Sequence, residues 1–506
     1  MVTLDDHLSL AALVAVVRRR EQVKVAEAAR QRLAASRAFV DGLLDKGEPV
    51  YGVNTGFGKL QNVQIAADKV RQLQRNLIRS HSVAVGERLS SEVVRAMLLL
   101  RAQSLALGFS GVRPELIDLI VACLNEGVHP EVPSQGSVGA SGDLAPLAHV
   151  ALTLLGEGHA EYRGERLPSS LALSRAGLAP IELEAKEGLA LVNGTQAMTA
   201  LGALTLHDAL ELCTAADIAG AMSIEALKGT LKSFDPLVIK VRPHHGAGES
   251  AENLRRVGAD SPIHKSHEDC EKIQDAYSLR CMPQVHGASR GALWHALDIV
   301  LREINSVTDN PLIFAEEAAV ISAGNFHGQP LALAMDYAKI AIAELADISE
   351  RRTAHLHDPS MSGLPAFLTG EAGLHSGLMI SQYTAASLVS ENKTLAHPAS
   401  VDSIPTSANQ EDHVSMGLTA ARQAAQLLEN ARQVIAIELL NAAQALEFHR
   451  PLEPGPGVKA ALEAIRRVSP AVVEDRPLSR DVQAVYELMS SARLRRAVED
   501  VVGELR

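Results

Sequence analysis

The sequence predicts an all-α fold, because of its composition and the spacing of its apolar residues. Hydrophobic residues make up 47% of the 506-residue chain, but aromatic residues make up only 3%. With so few aromatic rings the core must consist of Ala, Leu, Val and Ile, which favours closely packed helices over an aromatic-rich β-sandwich. Apolar residues also recur at helical spacing over long Ala/Leu-rich stretches, whereas clusters of β-branched residues are few.

Three stretches carry the clearest helical pattern. The first two are residues 93–107 and 331–345, where apolar positions repeat with the period of an α-helix. The third, 423–448, is longer and is apolar around much of its circumference. A helix of that kind is buried on most sides, so we expect it in the core of a helix bundle or at a subunit interface.

Gly, Pro and Ser residues interrupt the helical pattern at 130–142, 242–250 and 358–372. We expect the first break to carry the chemistry and the second, which contains Pro-His-His-Gly-Ala-Gly, to be a surface loop. Near residue 200 the loop-rich sequence gives way to long helices. This change predicts an N-terminal domain over 1–200 and a domain of long central helices and C-terminal helices over 201–506.

Charge and cysteine content indicate the compartment and exclude some partners. The net charge of −12 argues against nucleic acid or an anionic membrane as the main partner. Residues 1–6 lack the basic-then-apolar order of a signal peptide, and charges such as Arg101 and Lys339 interrupt the most apolar stretches. The four cysteines form no C-x-x-C pair, which is typical of reduced thiols. We therefore expect a cytoplasmic protein without a membrane span.

Residues 136–146 read Gly-Ser-Val-Gly-Ala-Ser-Gly-Asp-Leu-Ala-Pro and are the most informative stretch of the chain. An Ala-Ser-Gly tripeptide can cyclise when the amide nitrogen of Gly142 attacks the carbonyl carbon of Ala140. Loss of water, including the Ser141 hydroxyl, then leaves an imidazolinone ring with an exocyclic methylene. Glycine is the least hindered nucleophile for this closure and permits the bent backbone that it requires. The product is a strong electrophile made from the chain alone.

Two other interpretations of this stretch stay open on the residues alone. Gly, Ser and Ala before an apolar run are also typical of an ordinary loop and helix N-cap, with Asp143 and Pro146 in the first turn. The elbow of a serine hydrolase is the second alternative. It requires G-x-S-x-G, and here Asp143 occupies the position of the last glycine.

Five further segments carry polar or aromatic side chains in unusual settings. Singly, each has an ordinary explanation as a loop anchor, a helix cap, a turn, a surface ion pair or a solvated face. The residues concerned are Tyr51 at the start of a glycine-rich loop, His81 at the end of an apolar helical pattern, Asn193 beside a glycine, Gln274, Tyr277 and Arg280 at i, i+3 and i+6 on one predicted helical face, and the polar run 409–413.

Together with the tripeptide, these segments resemble the aromatic amino acid ammonia-lyases, over about residues 50–450. The run over 136–146 is highly specific, and the Tyr-Ser-Leu-Arg-Cys and Asn-Gln-Glu-Asp-His runs are nearly as specific. The resemblance implies an aspartase/fumarase-like bundle of long helices. It also implies a smaller helical and loop-rich N-terminal domain that carries the prosthetic-group loop, and a homotetramer whose active sites are shared between subunits.

The resemblance also implies a prosthetic group and a set of site residues. The group is 4-methylidene-imidazol-5-one, formed autocatalytically from Ala140, Ser141 and Gly142, so no cofactor is imported. Tyr51 is the expected base for the substrate's β-proton, a role that needs a locally positive site because a free tyrosine has a pKa of ~10. The other implied roles are Arg280 as the bidentate partner of the substrate carboxylate, Asn193 and Gln274 to orient that carboxylate or the ring carbonyl, Tyr277 against the prosthetic group, and Phe326 beside the electrophile.

Substrate choice depends on two polar residues. His81 and Glu411 suit an imidazole, which presents one donor and one acceptor when neutral. Relatives that act on phenylalanine or tyrosine usually carry glutamine where this chain has Glu411, so the carboxylate favours histidine. The expected reaction converts L-histidine to trans-urocanate and ammonia, the first step of histidine degradation. A tyrosine or phenylalanine ammonia-lyase, a 2,3-aminomutase, and a helical scaffold protein without catalysis are the alternatives.

A metal site is the remaining candidate. His264, His267, Glu268, Asp269 and Cys270 form a cluster that His244 and His245 could join. The spacing fits no standard zinc pattern, and the segment is typical of a charged loop. We therefore expect no metal.

Overall fold

The computed structural model describes residues 1–47, 49–268 and 273–506, and 61% of the chain is helical. The prediction of an all-α fold is confirmed. The helices are α1 (Leu10–Arg18), α2 (Glu27–Lys46), α3 (Val70–His81), α4 (Ser91–Ala106), α5 (Pro114–Glu126), α6 (Leu144–Leu154), α7 (Ser169–Arg175), α8 (Glu187–Val192), α9 (Gln196–Ala226), α10 (Pro236–Val241), α11 (His245–Val257), α12 (Pro262–Lys265), α13 (Tyr277–Arg280), α14 (Met282–Ile304), α15 (Gln329–His357), α16 (Pro359–Ser362), α17 (Met379–Leu395), α18 (Gly417–Glu447), α19 (Pro456–Arg466), α20 (Ser479–Ser490) and α21 (Arg493–Val502).

The strands are short. They are β1 (Val2–Leu4), β2 (Val23–Val25), β3 (Val85–Arg88), β4 (Val128–Pro130), β5 (Pro133–Gln135), β6 (His159–Tyr162), β7 (Glu165–Pro168), β8 (Leu312–Phe314) and β9 (Ala319–Ile321). β1 pairs with β2 in parallel, and antiparallel pairing joins β3 to β5, β4 to β6, β6 to β7 and β8 to β9. Each of these sheets has only two or three strands.

The three strongest helical patterns are α-helices. Residues 93–107 correspond to α4, 331–345 lie inside α15, and 423–448 correspond to most of α18. α4 begins where the Ser90 hydroxyl accepts the Val93 N–H, as an N-cap serine does. Every residue from Val93 to Ala106 is buried, so α4 is covered on all sides.

The chain divides into two compact units. The first unit comprises residues 1–204, 297–336 and 398–422, and the second comprises 205–296, 337–397 and 423–506. The nine strands described above all fall in the first unit. The predicted division into 1–200 and 201–506 stays a prediction.

In the second unit, the long apolar part of α18 is buried as expected, and it also carries a buried acid. Glu438 is fully buried, and its carboxylate accepts hydrogen bonds from the Arg352 guanidinium at 2.5 and 2.8 Å. The hydroxyls of Ser223 and Ser349 each donate to it at 2.6 Å. A buried carboxylate is tolerated only with such partners.

One prediction about a break is wrong in part. Residues 242–250 are predicted to be a surface loop, and 242–244 do lie in an exposed loop, but α11 begins at His245 and runs to Val257. Gly246 is buried, and a side chain there would overlap the backbone carbonyl of Gly287. Gly246, one of the glycines that suggest a loop, is therefore a packing position, which allows two helices to approach closely. No helix in the described part of the chain is long and apolar enough to cross a membrane.

Candidate active site

The Ala140–Ser141–Gly142 tripeptide lies in the first unit, in the loop between β5 and α6. Ala140 and Gly142 are buried, and Ser141 is half-buried. Gly142 adopts a φ of +73°, and a side chain there would overlap the backbone of Gly194. The chain therefore needs glycine at this position for two reasons, its backbone conformation and its close contact.

The Asn193–Gly194 turn lies against the tripeptide. The Gly194 N–H donates to the Ser141 carbonyl at 3.4 Å, and the Gly194 carbonyl accepts the Asp143 N–H at 2.7 Å. Asn193 is 5% exposed, and its side-chain oxygen has no hydrogen-bond partner among the described residues. A buried amide oxygen without a partner is costly unless a ligand satisfies it. This geometry suits the predicted ligand-binding role of Asn193.

Asp143, which the loop and N-cap interpretation places in the first turn of a helix, has a different function. It precedes α6, but its side chain makes no capping hydrogen bond there. Instead its Oδ2 accepts the N–H groups of Ala197 and Met198 at 2.9 Å each, in the first turn of α9. The Ser137 hydroxyl donates to its Oδ1 at 2.8 Å. Burial raises the pKa of Asp143 to about 6, against the opposing effect of these donors.

Arg101 supports the same turn from inside the core, a role that the sequence analysis missed. Its fully buried guanidinium donates to the carbonyls of Ala190 and Asn193, at 2.5 and 3.0 Å, and to the side-chain oxygen of Gln196. Burial lowers the pKa of Arg101 to about 10, and the carboxylates of Asp309 and Asp143 oppose that shift. The available signal was an arginine within an otherwise apolar helix, which must find buried acceptors.

Glu411 is the carboxylate that the tripeptide hydroxyl contacts. The Ser141 hydroxyl donates to its Oε1 at 3.0 Å, and the Thr406 hydroxyl donates to its Oε2 at 2.6 Å. An antiparallel bridge between Thr406 and Glu411 fixes the backbone of this turn. The carboxylate also acts electrostatically on Tyr51 and His81. Four predicted site residues are therefore brought together in the first unit.

Tyr51 holds its proton more firmly in this environment than in water. Its pKa is raised, chiefly by burial and further by the carboxylates of Glu411 and Asp309, whereas the Gly58 N–H that donates to its oxygen at 3.3 Å opposes the shift. A general base at neutral pH needs the opposite shift. The positive site that the base role requires is thus not supplied by these neighbours.

His81 is the last residue of α3 and lies beside the same carboxylate. Burial lowers its pKa, while the Glu411 carboxylate opposes that effect, so the imidazole is neutral at physiological pH. Its Nδ1 is 3.1 Å from the Ser80 hydroxyl. A neutral imidazole beside a carboxylate offers a polar pair to a ligand.

Phe326 lies in the segment that leads into α15 and is half-buried. The next residue, His327, is 3.2 Å through Nε2 from the His413 carbonyl, and the two imidazole rings are parallel with centroids 5.8 Å apart. The Gly328 N–H donates to the Gly139 carbonyl at 3.1 Å. The segment that carries Phe326 therefore contacts both the tripeptide loop and the segment that carries Glu411.

Gln274, Tyr277 and Arg280 belong to the second unit. The prediction that they share one helical face is wrong for Gln274, because α13 begins only at Tyr277 and spans four residues. The Arg280 guanidinium lies over the Tyr277 ring at 4.6 Å from its centroid, which is a cation–π contact. Tyr277 is 72% exposed, and the Nε of Arg280 is buried without a partner in the described chain. Their predicted roles stay predictions.

The suggested metal cluster is partly described. Asp269 and Cys270 lie outside the described residues. Nδ1 of His264 and Nε2 of His267 are 3.0 and 3.3 Å from the carbonyl of Gly229, whereas Nε2 of His264 is buried without a hydrogen-bond partner among the described residues. The expectation that no metal binds here stays a prediction.

Comparison with known proteins identifies relatives over nearly the whole chain. Residues 8–467 match the family described as aromatic amino acid lyase. The chain is 58% identical over 511 residues to histidine ammonia-lyase of Sorangium cellulosum, with 99% of each chain covered. The solved histidine ammonia-lyase from Trypanosoma cruzi is 42% identical, with a TM-score of 0.92 over 99% of this chain and 95% of the other. Tyrosine aminomutase from Streptomyces globisporus is 38% identical, with a TM-score of 0.95 and both chains fully covered.

Proposed function

The chain belongs to the aromatic amino acid lyase family, and from this premise we propose that it is a carbon–nitrogen lyase acting on L-histidine. The reaction is the non-oxidative removal of ammonia to give trans-urocanate, the first step of histidine degradation. High identity to histidine ammonia-lyase over nearly the full length of both chains supports this function.

The observation that carries the choice of histidine is the position of the Glu411 carboxylate. It lies 3.0 Å from the Ser141 hydroxyl and acts electrostatically on His81, which burial keeps neutral. A histidine side chain can donate to the carboxylate and exchange a second hydrogen bond with His81, whereas a phenyl ring leaves both groups unpaired. A site built for polar atoms rejects an analogue that lacks them.

The residues fit the self-formed ring. Ala140 is small and buried, and Gly142 has the φ of +73° and the lack of side-chain space that only glycine satisfies. The Ser141 hydroxyl that must be expelled is held by a single carboxylate. When present, 4-methylidene-imidazol-5-one supplies the electrophile that allows the substrate to lose its amino group, which is otherwise a poor leaving group. We propose that Ala140, Ser141 and Gly142 form it without an imported cofactor.

The remaining residues have roles in binding and proton transfer. Arg280 binds the substrate carboxylate through two parallel N–H groups, and Asn193 and Gln274 orient this carboxylate. Tyr51 takes the β-proton at its phenolate oxygen. Tyr277 and Phe326 pack against the reacting centre. The buried, unpaired oxygen of Asn193 is the strongest support for this group of assignments.

We propose a homotetramer whose active sites are shared between subunits, in the cytoplasm. Apolar side chains on two long helices of the second unit support assembly, because Ile340 on α15 and Ile380 and Tyr383 on α17 are 47%, 58% and 62% exposed. Ile380 and Tyr383 are three residues apart on α17 and therefore lie on one helix face. Contiguous exposed apolar patches are typical of association surfaces. Assembly also offers a source of the positive charge that Tyr51 needs.

A 2,3-aminomutase acting on tyrosine is the second candidate, because the solved tyrosine aminomutase superposes with a TM-score of 0.95. Fold similarity alone does not separate the two activities. The identity of 38% to that enzyme, against 58% to a histidine ammonia-lyase, favours the lyase.

The test is an assay of the purified protein with L-histidine, L-tyrosine and L-phenylalanine, each followed by near-UV absorbance. We expect urocanate from histidine as the dominant product. A β-amino acid or a cinnamate formed faster than urocanate would reject the histidine assignment. Intact mass of the same sample tests the ring, since the loss of two waters lowers the mass by about 36 Da and Ser141→Ala cannot show the full loss.

A further inference from the structure

The two residues before the tripeptide, Val138 and Gly139, form hydrogen bonds with two segments that are distant in sequence. The Val138 carbonyl accepts the Met416 N–H at 2.9 Å. The Gly139 carbonyl accepts two donors, the Gly328 N–H at 3.1 Å and the Ser415 hydroxyl at 2.8 Å. Of these three donors, only the Ser415 hydroxyl belongs to a side chain. The entry to the tripeptide therefore depends on the amino acid at position 415.

Ser415 is built into this position. It is fully buried, and its hydroxyl accepts the Gly417 N–H at 3.2 Å while it donates to Gly139. A side chain at Gly139, whose φ is +71°, would overlap the Ser415 hydroxyl. One at Gly328 would come within 2.9 Å of it. The hydroxyl thus occupies a space that neighbouring glycines leave free, and both of its hydrogen-bonding functions are used.

The held carbonyl controls the geometry of ring closure. The Gly139 carbonyl belongs to the peptide plane that ends at the Ala140 Cα, so fixing it fixes the atom from which the Ala140 carbonyl group extends and leaves φ of Ala140 as the rotation that directs the carbonyl carbon. On the other side, the Asp143 N–H is fixed by the Gly194 carbonyl at 2.7 Å. An intramolecular attack gains rate when both reacting groups are held close to the reactive geometry.

The reaction itself needs no co-reactant. The Gly142 nitrogen bonds to the Ala140 carbonyl carbon, and the carbonyl oxygen leaves as water with the amide proton and one further proton from the medium. The Ser141 nitrogen then returns its proton to the medium as the C=N bond forms between this nitrogen and the former Ala140 carbonyl carbon. In the second loss of water, the Ser141 Cα–H and hydroxyl depart and the exocyclic double bond forms. No atom is oxidised or reduced by an external partner.

We infer that Ser415 is a positioning residue for formation of the ring, acting through the Gly139 carbonyl. The inference rests on the proposed self-formed ring. Without the hydroxyl, the carbonyl keeps only the Gly328 N–H, and the Ala140 peptide samples orientations that do not close. Loss of one hydrogen bond that acts on the reactive geometry corresponds to a rate about fivefold lower or more.

The experiment follows maturation of the full chain by intact mass. Wild type, Ser415→Ala, Ser415→Cys and the control Ser403→Ala are made by cell-free synthesis, and the folded fraction is weighed at successive times. Ser403 is a matched control, because its hydroxyl accepts the Val414 N–H at 3.1 Å in the same segment without a hydrogen bond to the tripeptide loop. We expect wild type and Ser403→Ala to reach the mass of the ring together. Folded Ser415→Ala lags about fivefold or more, and Ser415→Cys lies between.

The outcomes are distinguishable. If wild type never loses about 36 Da, the proposed ring itself is rejected. If wild type matures and folded Ser415→Ala matures at the same rate, only the role of Ser415 is rejected. If neither Ser415 variant yields folded protein while Ser403→Ala does, Ser415 serves folding, and the inference is also overturned.

Discussion

The phenol of Tyr51 is a weaker acid in this fold than in water, because it is buried and faces the carboxylates of Glu411 and Asp309. The same Glu411 carboxylate holds the Ser141 hydroxyl at 3.0 Å. One acidic group thus acts on Ser141, Tyr51 and His81, to which we assign the proposed electrophile, base and imidazole-binding roles. A substitution at Glu411 should accordingly separate these effects by substrate.

The specificity of the site should change when its polar ring-binding groups are replaced. His81→Leu removes a hydrogen-bond partner of the substrate imidazole. It also removes the polar group that a carbocyclic ring would leave unpaired. The ratio of kcat/KM for histidine to that for phenylalanine should therefore fall by tenfold or more, which corresponds to a change on the order of 1.4 kcal/mol. Glu411→Gln should shift the ratio in the same direction. The measurement is kcat/KM for histidine, tyrosine and phenylalanine on each variant. Equal losses for all three substrates would contradict the imidazole-binding role.

Asp143 should make stability depend on pH with a definite sign. Its pKa is raised from 3.8 to about 6 in the folded chain, so its contribution is fully present below pH 3.8 and is lost as pH rises through about 6. The free energy of unfolding of wild type relative to Asp143→Asn should fall by about 1 kcal/mol between pH 5 and 7. Urea unfolding of both proteins across that range measures it. A relative stability that grows with pH would mean that the charged carboxylate is the stabilising form.

At the scale of elements, the contact between the tripeptide loop and the Asn193–Gly194 turn depends on the absence of side chains. Gly142 and Gly177 have nearly the same φ, +73° and +74°, but a Cβ at Gly177 would meet nothing within 4 Å. Gly177→Ala should therefore cost about 1 kcal/mol, for backbone strain alone. Gly142→Ala should cost about 2–4 kcal/mol, because the loop must also move away from Gly194.

Urea unfolding gives both costs, and intact mass gives the ring content of the same samples. We expect Gly177→Ala to show the full decrease in mass that accompanies ring formation. We expect Gly142→Ala not to show it. Equal destabilisation by the two variants would show that the close contact with Gly194 contributes nothing to the packing of the loop.

Local sequence pattern predicts an element best when tertiary packing favours the same structure as the pattern does. α4 follows from its own apolar periodicity, whereas the first residues of α11 fall in a stretch predicted as a loop, because glycine is a poor helix former. Gly246 is tolerated there because Gly287 packs against it, and no local pattern contains that information. Gln274 was predicted on a helix from its spacing alone, and α13 begins three residues later.

The site residues also divide into those that the sequence predicts and those that depend on distant contacts. Tyr51, His81, Asn193 and Glu411 were found because the resemblance names their motifs, and the first unit gathers them around the tripeptide. Asp143 and Arg101 were missed as functional supports, because all partners of their side chains except Ser137 lie 54 to 95 residues away along the chain. For Arg101, a charge inside an apolar run was the only local signal.

At the scale of the whole molecule, the proposed assembly predicts complementation between inactive variants. Ser141 belongs to the first compact unit of the chain and Arg280 to the second. If each active site combines Ser141 of one subunit with Arg280 of another, mixed tetramers contain some sites in which both residues are intact. Random mixing of equal amounts of Ser141→Ala and Arg280→Leu chains leaves about a quarter of the sites intact.

We therefore expect each variant alone to be inactive and the co-expressed pair to regain about a quarter of wild-type kcat, with an unchanged KM, because the restored sites are identical to those of wild type. Co-expression of wild type with Ser141→Ala sets the scale, since half of its sites keep Ser141. Tagging the two chains differently and purifying on both tags ensures that only mixed oligomers are assayed. If purified mixed oligomers stay inactive while the wild-type control is active, each site takes Ser141 and Arg280 from one chain. The shared-site arrangement is then wrong for this pair of residues.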